Sequence, residues 1–81
     1  MGAPEKLDPE KARRLARVLC SDLALFYPEA VAQMVRTGAV AAELAEAIDD
    51  ARALYLRRGG DPALFEERLG LLRLTGEVAT D

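Results

Sequence analysis

Asp8-Pro9-Glu10-Lys11-Ala12-Arg13-Arg14-Leu15-Ala16-Arg17-Val18-Leu19-Cys20-Ser21-Asp22-Leu23-Ala24-Leu25-Phe26-Tyr27-Pro28 reads as one complete helix, with a start, a buried face and a stop. Asp8 is a good N-cap, and Pro9 suits the first helical position, where no hydrogen-bonded N–H is needed. Glu10 puts negative charge in the first turn, where the helix dipole favours it. At about 100° per residue, Ala12, Leu15, Ala16, Leu19, Cys20, Leu23, Phe26 and Tyr27 share one arc. Lys11, Arg13, Arg14 and Arg17 lie outside it. Pro28 disfavours helical geometry at Tyr27, so the helix should span about Pro9 to Phe26.

The same grammar repeats downstream. Pro28 can open a short second helix to about Arg36, with Val31, Met34 and Val35 on its apolar face and Gly38 as a left-handed cap. A third helix is predicted from about Ala39 to Arg57. Val40, Leu44, Ala47, Ile48, Ala51, Leu54 and Tyr55 form one side of it; Glu43, Glu46, Asp49 and Asp50 form the other. Gly59-Gly60 stops it. Asp61-Pro62 repeats the cap-and-proline start, and a fourth helix follows to about Leu74, with Leu64, Phe65, Leu69, Leu71 and Leu72 on a broad apolar arc. Gly70 inside it either permits a close helix approach or is simply tolerated, at up to about 1 kcal/mol relative to Ala. Residues 1–7 read as a disordered lead and 75–81 as a frayed tail, leaving one domain over 8–74.

Composition agrees. Ala, Leu, Arg, Glu and Lys make up 47 of 81 residues, whereas Val, Ile and Thr together number nine. That balance favours helix over sheet. The chain has no His and one Cys, which excludes histidine acid–base chemistry, Cys/His metal sites and an internal disulfide. No apolar run has the length needed to cross a bilayer, and the first residues lack the apolar core of a signal peptide. A cytoplasmic location is the expectation. The expected fold is all-α: a compact four-helix domain, two long antiparallel helices plus two shorter ones. Its core should contain Leu15, Leu19, Leu23, Phe26, Val31, Val35, Leu44, Ile48, Ala51, Leu54, Tyr55, Phe65, Leu69 and Leu72.

Four features bear on function. Val18 and Leu25 form a second apolar stripe on the first helix, opposite its main face, with Arg14 and Asp22 beside them. A helix apolar on two sides needs two partners, either two helices of this chain or one helix and another molecule. Asp22 has no charged neighbour on its own helix, so it is exposed or pairs through tertiary structure with Arg52, Arg57, Arg58 or the amides opening the second helix. Charge is uneven: residues 1–20 carry five positive and three negative side chains, residues 21–52 two and six. Lys11, Arg13, Arg14 and Arg17, with Arg57 and Arg58, could contact phosphates. The net charge of −3 and the lack of interleaved aromatics argue against a dedicated nucleic-acid binder. Cys20 lies on the main arc and reads as a small buried hydrophobe. Asp49, Asp50 and Glu46 make at most a loose cation site, without the spaced ligands of a calcium loop.

Lys11 to Leu23, together with Tyr27-Pro28-Glu29, Gly38 and residues 43–48, resembles a small helical domain common in deltaproteobacteria and often found C-terminal to zinc-ribbon or signalling domains. In that family an Arg-rich helix with a Ser-Asp pair precedes an aromatic-X-Glu turn, a Gly-initiated helix ending in Tyr, and a last helix around a Phe. Tyr55 and Phe65 hold those last places, and the family's Thr or Ser after the glycine is Ala39. The family has no settled activity, so the resemblance implies an accessory or interaction module and transfers no catalytic residue. The reading is therefore a non-enzymatic protein–protein interaction or dimerisation module without cofactor or metal. Its partner would be a second copy or another protein. A nucleic-acid-associated regulator is the alternative, and a ligand pocket near Tyr27 and Tyr55 a third.

Overall fold

A computed structural model describes residues 6–76 and shows α1 (Pro9–Phe26), α2 (Pro28–Thr37), α3 (Ala42–Arg57) and α4 (Pro62–Thr75), with no strand among the described residues. The all-α four-helix architecture holds. Both Asp-Pro starts work as capped starts. Asp8 Oδ1 accepts from the Lys11 amide at 2.9 Å, and Asp61 Oδ1 from the Ala63 amide at 3.0 Å. Gly38 ends α2 at φ 78°, its N–H donating to Met34 O at 2.8 Å.

α3 starts at Ala42, not Ala39. The Ala39 amide donates to Thr37 Oγ1 at 3.1 Å, a local turn that competes with helix, and the N-cap is Ala41, which has no side-chain oxygen. α4 runs to Thr75, one residue past the expected end. The expected lead is also shorter. The Leu7 amide donates to Gly59 O at 3.0 Å and its side chain packs, half-buried, on the core. Residues 1–5 and 77–81, most of the expected lead and tail, lie outside the described residues.

α1 and α3 run antiparallel, the Leu7–Gly59 bond tying the start of one to the end of the other. α4 is more central than a closing helix: it lies along α1 and also packs against α2 and α3. α2 leaves α1 at a bend of 99° and crosses to α4.

The seam of α1 is Ala12, Ala16, Cys20 and Leu23, all buried. Small side chains at its centre let the neighbouring helices come close, which pushes the larger Leu15 and Leu19 to half-buried flanks. Phe26 was expected in the core and is 69% exposed. It is the last residue of α1, and the bend carries α2 away toward α4 instead of over it. Val35, Ala51 and Leu54 are half-buried, and the other expected core residues are buried. Met34 and Ala30 join them from α2.

The corner between α3 and α4 is the most tightly built part. Tyr55 and Phe65 are fully buried with ring centroids 5.2 Å apart and planes inclined at 37°. The Tyr55 hydroxyl donates to Asp61 O at 2.7 Å. The Arg52 guanidinium lies 5.8 Å from the Phe65 centroid, donates from Nε to Glu66 Oε2 at 2.7 Å and pairs with Asp49 at 3.0 Å.

Gly70 is not a close-approach site, because a Cβ there would meet nothing within 4 Å. Gly70→Ala should therefore stabilise the domain by about 0.5–1 kcal/mol, through lower backbone entropy in the unfolded chain. The check is a higher urea midpoint with an unchanged m-value.

Candidate interaction surface

Arg14, Val18, Asp22 and Leu25 are all exposed, on the side of α1 turned away from the seam. Val18 is 47% and Leu25 70% exposed, so no helix among the described residues covers the second stripe. Asp22 does not find its expected partners. It makes no hydrogen bond or ion pair with the described residues, and Arg52 is committed to Glu66 and Asp49. At the far end, Ala24 and Thr75 border one cleft, which brings the ends of α1 and α4 together. Leu25 and Phe26 at the end of α1 and Leu74 at the end of α4 are also exposed.

The basic residues converge at the opposite end. Lys11, Arg14 and Arg58 border one cleft together with Leu7, Leu15 and Val18. Arg13 and Arg57 border a second, with Lys6, Leu56 and Asp61 among its other walls. Leu7 lines both, so the start of α1 and the end of α3 pool their cations there. Arg17 lines neither cleft and already has an interaction of its own. The contribution of Leu7 was not legible in the sequence, because a residue in a Pro- and charge-rich lead carries no periodic signal.

No charged side chain is buried among the described residues, and no cluster there could hold a metal ion. Among the described residues no single helix is long and apolar enough to cross a membrane. Tyr55 faces the α3–α4 turn rather than a cavity, and Tyr27 is half-buried at the α1–α2 bend.

Cys20 is fully buried, and burial pushes its thiol from the ordinary 9.0 up to about 11. Burial, then the nearby Asp61, also raises Tyr55. In both cases the native state resists losing a proton that the unfolded chain gives up at its ordinary value. For Cys20 the associated stability is complete below about pH 9 and is lost as pH rises through about 11. For Cys20 a shift of that size corresponds to roughly 2–3 kcal/mol. Urea midpoints under reductant should fall between about pH 8 and pH 10.5, and Cys20→Ala should flatten the fall.

Comparison with protein-family models, curated proteins and solved structures returned no match. Function is therefore read from the surface itself.

Proposed function

We propose that this domain is a non-enzymatic protein–protein interaction module whose docking surface is the outer face of α1. The exposure of Val18 and Leu25 carries the reading. Large aliphatic side chains on a helix already packed on its other side contribute little to the fold, and exposed apolar groups rimmed by charge mark interaction surfaces. Arg14 and Asp22 supply that rim.

Leu25→Asp tests the reading. The variant should keep the circular dichroism and melting behaviour of the parent, because the site is open to water. Light scattering then sorts the partner. A mass above 8.8 kDa in the parent that returns to 8.8 kDa in Leu25→Asp makes the face a contact between copies. A constant 8.8 kDa in both rules out a contact between copies, and the reading then requires a foreign chain. Unfolding of Leu25→Asp would overturn the reading, since it would make Leu25 a core residue.

A further inference from the structure

Toward the start of α1 the docking face runs into a cleft of about 330 Å3. Its apolar part is Leu7, Leu15 and Val18, and its charged part is Lys11, Arg14 and Arg58, with no Asp or Glu among the described residues of the wall. None of these three cationic side chains is engaged in a hydrogen bond or ion pair among the described residues, in contrast to Arg52, which two carboxylates hold. The cleft is thus apolar in its floor and cationic at its border, with the charges uncommitted.

We propose that this cleft takes an acidic amphipathic helix of a foreign protein, with an apolar side chain against Leu7, Leu15 and Val18 and carboxylates on Lys11, Arg14 and Arg58. The proposal rests on the reading of α1 as a docking helix and adds the chemistry of its partner. On a helix, residues three or four apart share a face, so an apolar anchor flanked at that spacing by Glu or Asp presents both halves of the complement at once. The volume lies at the low end of ligand-pocket sizes, about 300–1,000 Å3, and suits anchoring side chains better than a whole cofactor. Nucleic acid fits less well, because the described residues of the wall include three aliphatic side chains and no aromatic ring on which a base could stack. The acidic face of α3 in a second copy fits less well too. Glu43, Glu46, Asp49 and Asp50 are exposed there, but Leu44 and Ile48 between them are buried and can offer no anchor.

The test is fluorescence anisotropy of the full chain with three labelled helical peptides. One carries Leu and Glu at the spacing described, one replaces its Glu by Lys, and one replaces its Leu by Ser. The Leu/Glu peptide should bind and the Lys peptide should not. The Ser peptide, with the same charge and no anchor, should bind about tenfold more weakly or worse. Arg14→Glu/Arg58→Glu should weaken the Leu/Glu peptide by about tenfold or more, and Arg14→Gln/Arg58→Gln by less, both with the parent's circular dichroism. The Gln pair keeps the test decisive if charge reversal disturbs folding. No binding of the Leu/Glu peptide, binding indifferent to both Arg pairs, or tighter binding of a single-stranded oligonucleotide at the same salt would overturn the proposal. Peptide binding lost in Val18→Asp yet indifferent to the Arg pairs would overturn the acidic partner while leaving the docking face standing. Unfolding of Val18→Asp would instead bring down the docking face.

Discussion

Phe65→Ala should remove about 3–5 kcal/mol of stability, the usual range for truncating a fully buried ring. A chain of this length is expected to have only about 4–12 kcal/mol in total. The loss is therefore at least about a quarter of the total and, at the low end of that range, all of it. Two contacts meet at this fully buried ring. Tyr55 lies 5.2 Å away centroid to centroid, and the Arg52 guanidinium sits 5.8 Å above it. Removing the ring leaves a cavity between α3 and α4, and the Tyr55 hydroxyl bond to Asp61 resists collapse into it. Phe65→Leu keeps most of the buried area and should lose far less, about 1–2 kcal/mol. The check is a pair of urea titrations; equal midpoints for Phe65→Ala and the parent would show that the corner does not organise the fold.

Gly60→Ala should also be damaging, for the opposite reason. A Cβ at Gly60 would overlap the Cζ, Cε1 and Cε2 atoms of the Tyr55 ring. Backbone conformation is not the obstacle, since the positive-φ glycines are Gly38, Gly59 and Gly76. The obstacle is space. Tyr55 is fully buried, packed on Phe65 and pinned by its hydroxyl, so it cannot swing aside. Overpacking of this kind costs about 1–3 kcal/mol, and more where the neighbour is fixed. The cause can be isolated by a double-mutant cycle. In a Tyr55→Leu background, which removes the ring atoms, Gly60→Ala should lose most of its effect. Additive effects of the two changes would place the cause elsewhere.

Much of this fold was legible because local chemistry and tertiary packing agree. Asp8-Pro9 and Asp61-Pro62 announce helix starts, Gly38 announces an end, and the structure uses all three as read. The misreadings share a physical origin. Periodicity places Phe26 on the buried arc, but burial depends on what lies above a residue, and the 99° bend moves α2 away. Periodicity cannot show that Ala12, Ala16 and Cys20 form the innermost line of α1, because close approach depends on the neighbouring helices. A periodic pattern also carries through Ala39–Ala41, where Thr37 and the lack of a capping oxygen delay α3. The surface was partly legible. The stripe of Val18 and Leu25 was visible, but whether another helix covered it was not. The gathering of Arg58 with Lys11 and Arg14 needed the antiparallel pairing of α1 and α3, with Leu7 tucked between.

The central claim is that the outer face of α1 is covered by another protein chain in the cell. The most direct measurement is photo-crosslinking in the native host, with benzoylphenylalanine at position 25 in one strain and at position 50, on the exposed acidic face of α3, in another. A discrete crosslinked product is expected at 25, at twice the chain mass for a second copy or at another defined mass for a foreign partner, and no such product at 50. No discrete product at 25, or the same product from both positions, would contradict it.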